Sequence, residues 1–113
     1  KDTITLNTAV AMIINGDAGN DRIEADQNAK LTIDGGAGDD FITADGSKAN
    51  TITDDSGDNT IGATGAGDNT ITTGDGEDGI TTGAGDDTVK SGAGDDTINV
   101  GGGDGRVIYR TAG

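Results

Sequence analysis

The stretch TGAGDNTIT TGDGEDGIT TGAGDDTVK SGAGDDTIN, residues 64–99, repeats one nine-residue unit four times without interruption. A more divergent fifth copy, VGGGDGRVI, follows at residues 100–108. Each unit starts with a glycine-rich turn, continues with polar and mostly acidic residues, and places an aliphatic residue at its eighth position. Such a fixed short period indicates a chain that coils into a solenoid, because each unit packs on its neighbours and not on one central core.

The aliphatic position of the unit continues towards the N-terminus as a ladder. Its steps alternate between 10 and 9 residues up to Ile80 and are 9 residues thereafter. The ladder consists of Ile4, Ile14, Ile23, Ile33, Ile42, Ile52, Ile61, Ile71, Ile80, Val89, Ile98 and Val107. Since alternate side chains of a strand point to opposite faces, one inward aliphatic residue per short strand suffices for a thin core.

Two half-coils of this kind make one turn of the solenoid, 18 or 19 residues long. We therefore predict an all-β fold, a right-handed parallel β-roll (β-solenoid) with two short parallel sheets. The predicted organisation is an N-terminal first coil or cap at residues 1–13, β-roll repeats at 14–108 and a C-terminal cap or linker at 109–113. An antiparallel meander built on the Asn15-Gly16 and Asp45-Gly46 dipeptides is the alternative, although it would need longer strands.

The composition indicates that hydrophobic burial alone does not hold the chain together. Of 113 residues, 22 are glycine and only 30% are apolar, and the formal net charge is −14. Without the periodicity such a chain would be expected to stay disordered, because ~1–2 kcal/mol of conformational entropy per residue would find no matching burial. The acidic residues are 19 Asp and only 2 Glu, which favours short carboxylates placed in tight turns.

The chain contains no cysteine and no histidine, so any metal site must use oxygen ligands. Turns on the same side of a solenoid stack, which brings the sixth residues of successive turns within reach of one cation. On one side these residues are Asp21, Asp40, Asn59, Asp78 and Asp96, and on the other they begin at Asn69 and Asp87. Carboxylate and carbonyl oxygens in a flexible loop suit Ca²⁺, which takes about 6–8 oxygen ligands, better than Mg²⁺.

The candidate calcium ligands are turn residues that can offer a side-chain or backbone oxygen to the space between two coils. They are Gly16, Ala18, Asp21, Gly35, Ala37, Asp40, Asp54, Asn59, Asn69, Thr73, Asp75, Asp78, Thr82, Ala84, Asp87, Ser91, Ala93 and Asp96. The gaps between stacked loops suggest roughly five or six Ca²⁺ ions. Six such ions would change the net charge from −14 to about −2. Weaker or absent sites are expected where Asn59 and Asn69 replace the ligand Asp, at Gly105, and in the loop 54–59, which lacks the first glycines.

The nonapeptide GGAGDDFIT at residues 35–43, with relatives at 16–24, 73–81, 82–90 and 91–99, resembles the repeat of the RTX (repeats-in-toxin) family. The resemblance covers residues 16–108 and implies a β-roll that folds when it binds Ca²⁺. It also implies a secreted or cell-surface bacterial protein, an adhesin or toxin exported by a type I system, whose repeats become folded outside the cell.

The first half of the chain has a different repeat pattern from the second. Its connections at residues 25–31 and 44–50 carry no glycine-rich turn. There the chain resembles the 19-residue one-sided calcium solenoids of giant bacterial adhesins.

Other classes of function are less well supported. Adjacent acids such as Asp39 and Asp40 would point to opposite faces and recur in many units, unlike the carboxylate pair of a glycosidase, so no enzyme is predicted. The negative charge disfavours nucleic acid as a partner, and no apolar run is long enough for membrane insertion. End-to-end contact with neighbouring domains of the parent protein stays open.

Two surface features allow more than one interpretation. Outward threonines could form a flat array that binds ice or polysaccharide, but threonine is also a favourable exposed strand residue. The array comprises Thr32, Thr51, Thr70 and Thr88, joined by Thr53 and Thr72. The fifth-position acids are expected to form a solvated charge row that keeps the roll soluble. They are Asp39, Asp58, Asp68, Asp86 and Asp95.

Overall fold

The computed structural model describes residues 1–6, 10–25 and 30–109, which form short strands joined by turns. In chain order the strands are β1 Thr3–Leu6, β2 Met12–Asn15, β3 Arg22–Ala25, β4 Leu31–Asp34, β5 Phe41–Thr43, β6 Thr51–Thr53, β7 Thr60–Ala63, β8 Thr70–Thr72, β9 Gly79–Thr82, β10 Thr88–Ser91, β11 Thr97–Asn99 and β12 Arg106–Tyr109. The odd-numbered strands form one six-stranded sheet, here sheet 1, and the even-numbered strands form sheet 2. Every strand pairing among the described residues is parallel. The predicted β-solenoid with two parallel sheets is therefore confirmed, and the antiparallel meander is excluded.

The aliphatic ladder forms the core between the two sheets. In sheet 1, register partners join Ile4, Ile23, Ile42, Ile61, Ile80 and Ile98. In sheet 2 they join Ile14, Ile33, Ile52, Ile71, Val89 and Val107. From Ile23 to Val89 these side chains are at most 1% exposed, and each contributes roughly 1.5–3 kcal/mol through burial. The predicted alternation of the ladder between two sheets is confirmed.

Four further apolar residues at or beside the ends of strands complete the core, a contribution that the ladder alone did not predict. Ala25, Leu31, Ala44 and Ala63 are buried in the same cluster as the ladder. A thin core of this kind gives each coil only a few apolar contacts, so the turns must contribute to stability as well.

The turns stack on two sides of the solenoid. The first-side turns, which lead from sheet 2 to sheet 1, are residues 16–21, 35–40, 54–59, 73–78 and 91–96. The second-side turns, which lead from sheet 1 to sheet 2, include residues 45–50, 64–69, 82–87 and 100–105. Positions one to six of a turn are counted from the first residue of each range.

A glycine with positive φ occupies the fourth position of every first-side turn. The N–H of Gly19 donates to the carbonyl oxygen of Ala37 at 2.8 Å, and that of Gly38 donates to Ser56 at 3.0 Å. A Cβ on Gly57 would overlap the carbonyl oxygen of Gly38 and lie 2.5 Å from its carbon. Glycine is therefore needed here both for its backbone conformation and for the close approach of successive coils.

The predicted terminal units are described only in part. Strand β1 pairs with β3, and the backbone N–H of Asp2 donates to Oδ1 of Asp21. Residues 110–113 of the predicted C-terminal cap lie outside the described residues, as do 7–9 and 26–29. Within the described part of the chain, no helix has the length and apolar character needed to cross a membrane.

Candidate metal sites

One oxygen of each sixth-position side chain is hydrogen-bonded to the backbone of the preceding coil. On the first side, Oδ1 of Asp40 accepts the N–H of Asp21 at 2.8 Å, and Oδ1 of Asn59 accepts the N–H of Asp40 at 2.8 Å. Bonds of the same kind join Asn59 to Asp78 and Asp78 to Asp96, each at 3.0 Å. The structure thus places these five predicted residues in one ladder, spaced by one coil.

The second-side ladder begins earlier than the sequence analysis expected. Oδ1 of Asn50 accepts the N–H of Leu31 at 3.0 Å, and Oδ1 of Asn69 accepts the N–H of Asn50 at 3.0 Å. Oδ1 of Asp87 accepts the N–H of Asn69 at 2.8 Å. The expectation that this ladder starts at Asn69 was wrong, because Asn50 takes the sixth position of a turn without the glycine pattern. Its spacing of 19 residues from Asn69 was the available signal.

The second carboxylate oxygen of the buried acids has no hydrogen-bond partner. This holds for Oδ2 of Asp21, Asp40, Asp78 and Asp87, whose side chains belong to residues at most 3% exposed. Asp96, in the last first-side turn, is half-buried. Because a buried carboxylate without a partner costs several kcal/mol, each of these four oxygens requires a proton or a cation.

The first residue of several turns supplies another buried oxygen without a partner. These oxygens are Oδ2 of Asp54, Oγ1 of Thr73 and Oγ of Ser91 on the first side, and Oγ1 of Thr82 on the second. Hydroxyl and carboxylate oxygens retain lone pairs that can bind a cation. First and sixth positions together therefore provide oxygens of the kind that a hard cation takes.

Glycine at the first position opens a small space in which such oxygens converge. A Cβ on Gly16 would lie 2.5 Å from the carbonyl oxygen of Gly35 and 2.9 Å from Oδ2 of Asp21. A Cβ on Gly35 would overlap Oδ2 of Asp54 and lie 2.7 Å from Oδ2 of Asp40. In both places the sixth-position carboxylate of one turn meets a first-position oxygen of the next coil.

The Asp40 and Asp54 carboxyls share one of these spaces, and both have a raised pKa. Burial raises the pKa of Asp54 to about 8, and the charge of Asp40 adds to the shift. Burial likewise raises the pKa of Asp40, although the hydrogen bond from the N–H of Asp21 favours its charged form. In the described part of the chain, no lysine or arginine side chain pairs with either carboxylate. A bound cation would neutralise both.

The chemical nature of the donors restricts which cation fits. Among the described residues, no group of three or more acidic side chains converges, so other ligands would have to be carbonyl and hydroxyl oxygens. Mixed neutral and carboxylate oxygens in a turn fit Ca²⁺, whereas soft transition metals prefer sulfur or imidazole.

The third-position residues of the predicted ligand set take part in backbone contacts between coils. Ala18 bridges to Ala37, and Ser56 bridges to both Ala37 and Asp75. The carbonyl oxygens of Ala37, Asp75 and Ala93 each accept one backbone N–H, at 2.8 to 3.0 Å. On the second side, Ala84 is exposed. A carbonyl oxygen has a second lone pair, so these bonds leave room for coordination.

The asparagines of the two ladders direct an amide nitrogen to the place where an aspartate has its free oxygen. Nδ2 of Asn59 donates to the carbonyl oxygen of Gly57 at 3.0 Å and to Oδ1 of Asp54 at 2.8 Å. Nδ2 of Asn69 donates to the carbonyl oxygen of Gly67 at 2.9 Å and to Oδ1 of Asp87 at 3.1 Å. This geometry gives a physical reason for the weaker or absent sites expected where Asn59 and Asn69 replace the ligand aspartate.

The fifth-position acids do more than carry charge. Oδ1 of Asp39 accepts the backbone N–H of Asp58 at 3.0 Å, and Oδ1 of Asp58 accepts that of Glu77 at 2.9 Å. On the second side, Asp68 and Asp86 accept the N–H of the following coil in the same way. These side chains are exposed, as expected for a solvated row, but they also connect each coil to the next one. The repeat pattern alone did not indicate this role.

Comparison with known protein families agrees with the repeat pattern. The model of the RTX calcium-binding nonapeptide repeat matches four segments, residues 13–29, 32–47, 62–89 and 80–107. Residues 48–61, which contain the turn 54–59, lie outside these matches. Searches of curated proteins and of solved structures gave no match to this chain.

Proposed function

Because the chain belongs to the family of RTX calcium-binding nonapeptide repeats and is a calcium-binding β-roll module, we propose that Ca²⁺ drives its folding by joining successive turns. The observation that carries this proposal is the set of unpartnered Oδ2 atoms of Asp21, Asp40, Asp78 and Asp87 inside the stacked turns. Without a cation, these stacked carboxylates repel one another at spacings of about 5 Å. With Ca²⁺ bound, the free energy of binding becomes free energy of folding.

The number of ions follows from which turns offer a free carboxylate. We propose four principal Ca²⁺ ions, one for each of the four buried sixth-position carboxylates with an unpartnered oxygen. The five or six ions expected from the stacked loops would also require binding at asparagine-containing or terminal turns. Asn59 and Asn69 already satisfy their own turns with amide hydrogen bonds.

The biological role proposed for the module is folding after export. RTX repeats are typical of secreted bacterial proteins, and the repeat is a structural calcium-binding module, not a catalytic one. With a net charge of −14, the chain would remain largely unfolded in a calcium-poor cytosol. Extracellular modules bind Ca²⁺ in the range of ~0.1–1 mM. We place the module outside the cell, in an adhesin or toxin secreted by a type I system.

The direct test is a Ca²⁺ titration of the chelator-treated chain, followed by far-ultraviolet circular dichroism. The signal is expected to change cooperatively from coil to β at ~0.1–1 mM Ca²⁺, with no change in Mg²⁺ at the same concentration. A full β signal in chelator that calcium leaves unaltered would disprove calcium-driven folding.

Removing one buried carboxylate should weaken calcium binding more than removing an exposed one. Asp78→Asn keeps an oxygen for the N–H of Asn59 but removes the buried charge, so calorimetry in excess calcium is expected to detect about one Ca²⁺ ion fewer per chain, and the folding transition should be less steep in calcium. Asp58→Asn is the matched control, because it keeps an oxygen for the N–H of Glu77 and removes an exposed charge. Its number of bound ions should equal that of the unmodified chain. Equal numbers of bound ions for the two variants would argue against metal binding by Asp78.

A second candidate function uses the outer surface of sheet 2. Thr32, Thr51, Thr70 and Thr88 are register partners in one outward column, and Thr53 and Thr72 pair beside it. This regular array supports the alternative of an ice- or polysaccharide-binding surface. Thermal hysteresis measured in calcium, with Thr51→Lys as the control, tests the ice-binding form of this alternative.

A further inference from the structure

The turn 54–59 differs from the other first-side turns in the position of its buried acid. Its first residue is Asp54 and its sixth is Asn59, whereas the turn 35–40 has glycine at the first position and aspartate at the sixth. The turn also lies in the segment that the repeat model does not match. The buried carboxylate of the turn 54–59 is therefore at the first position, not the sixth, and this alters which neighbouring coil it faces.

The side chain of Asp54 projects into the space that already contains Asp40. The two residues are 4% and 2% exposed, and Oδ2 of each is without a hydrogen-bond partner. Both oxygens border the position that a Cβ on Gly35 would occupy. Two carboxylates from successive coils thus converge on one small space, which we name the two-carboxylate site.

Each carboxylate of the two-carboxylate site is fixed through its other oxygen. Oδ1 of Asp54 accepts Nδ2 of Asn59 at 2.8 Å, and Oδ1 of Asp40 accepts the backbone N–H of Asp21 at 2.8 Å. The two free oxygens therefore do not need to reorganise before they bind a cation. Pre-organised ligands lose less conformational entropy on binding, which increases affinity.

The neighbouring space on the far side of the turn is different. The sixth position of this turn is the neutral Asn59, whose amide nitrogen is hydrogen-bonded within its own turn. The first-position residue of the next coil is Thr73, which provides a neutral hydroxyl oxygen. The negative charge of two turns is consequently concentrated on one side of the turn 54–59.

We propose that Asp40 and Asp54 jointly bind one Ca²⁺ ion more tightly than the single-carboxylate sites of this chain, so that this site fills first and starts the folding of the solenoid from its middle coils. The inference rests on the proposed function, since it ranks sites within a calcium-binding module. Calcium affinity in proteins rises with the number of charged ligands and with the rigidity of the site. The number of charged ligands is greater here than at Asp21, whose corresponding neighbour is the neutral carbonyl oxygen of Gly35.

The test is isothermal titration calorimetry of the whole chain with Ca²⁺ alone, comparing Asp54→Asn with Asp55→Asn. Both variants lose one negative charge, but Asp55 is exposed whereas Asp54 is buried. We expect the unmodified chain and Asp55→Asn to show one binding event at least about tenfold tighter than the others. In Asp54→Asn this event should merge with the weaker ones.

A second variant separates a local effect on the site from a failure to fold. Asp54→Gly restores the glycine found at the first position of the turn 35–40, so it should fold in excess calcium yet lack the tight event. The proposal is overturned if either Asp54 variant keeps the tight event. It is also overturned if both variants lose all calcium binding, because Asp54 would then determine folding and not one site.

Failure of this inference can be told apart from failure of the proposed function. If the unmodified chain binds no calcium, the proposed function fails and the inference fails with it. If it binds several ions of equal affinity, the function stands and only the ranking of the two-carboxylate site is overturned.

Discussion

Gly36→Ala is expected to prevent stable stacking of the turns 16–21 and 35–40 even in saturating calcium. Gly36 has a φ of 99°, a conformation that costs an alanine about 1–2 kcal/mol. Its Cβ would overlap the carbonyl oxygen of Asp17 and lie 2.7 Å from the carbonyl carbon. That same oxygen accepts the N–H of Ala37 at 2.9 Å, so relieving the overlap breaks a bond between coils. We expect urea unfolding in calcium to show a loss of at least about 3 kcal/mol.

Gly62→Ala is the control for this prediction. Gly62 lies in strand β7, and the nearest atom to its Cβ would be Cγ2 of Thr43 at an ordinary 3.9 Å. Because alanine restricts the unfolded chain, we expect a change within about 1 kcal/mol, favourable in sign. A comparable loss in both variants would mean that the backbone preference of glycine itself, and not the contact with Asp17, limits stability at these positions.

The repeat period was sufficient to predict the fold because it fixes which residues can stack. A ladder with steps of 9 and 10 residues has one regular solution, in which Ile33 pairs with Ile52 and Ile42 with Ile61, and the structure has these pairs. The register of the strands then also determines which turns stack on one another. For this reason the sixth-position residues of the first side could also be predicted to stack.

Hydrogen-bond directions could not be predicted in the same way. The period shows that Asp39 and Asp40 each stack with their equivalents, but not that Asp39 accepts an N–H from the following coil whereas Asp40 accepts one from the preceding coil. These opposite directions depend on how each side chain leaves the turn. The sequence also shows that Asn69 is neutral, but not that its oxygen faces the backbone ladder and its nitrogen the interior of the turn.

The difference in burial between the fifth- and sixth-position side chains explains why calcium is needed despite extensive hydrogen bonding. Fifth-position bonds are made by exposed side chains, where a hydrogen bond contributes only about 0.5–1.5 kcal/mol net. Sixth-position bonds bury carboxylates, and this burial is unfavourable until a cation is present. Each turn therefore makes a weak fifth-position hydrogen bond that does not depend on calcium, and a stronger contact through its buried sixth-position carboxylate that forms only when a cation is bound. Calcium therefore decides whether coils associate.

Asn69→Asp is expected to make folding more dependent on calcium. In the unmodified chain, Nδ2 of Asn69 donates to Gly67 and to Oδ1 of Asp87 inside a turn where the asparagine is 1% exposed. An aspartate would replace this donor by a second carboxylate facing Asp87, and without a cation the change should cost about 3–5 kcal/mol. In calcium the new carboxylate would become a ligand beside the unpartnered Oγ1 of Thr82. The calcium midpoint should rise and the transition should steepen.

Two measurements decide this prediction. Calorimetry in excess calcium should detect about one more bound ion per chain for Asn69→Asp, and circular dichroism should give the higher midpoint. Asn20→Asp is the control, because Asn20 is exposed and its Oδ1 accepts the N–H of Asp39 at 3.0 Å, a bond that aspartate preserves. If Asn69→Asp binds no additional calcium and folds at the unmodified midpoint, the amide of Asn69 does not take the place of a cation. The buried turns would then tolerate unpaired carboxylates, and the electrostatic basis proposed for calcium-driven folding would fail as well.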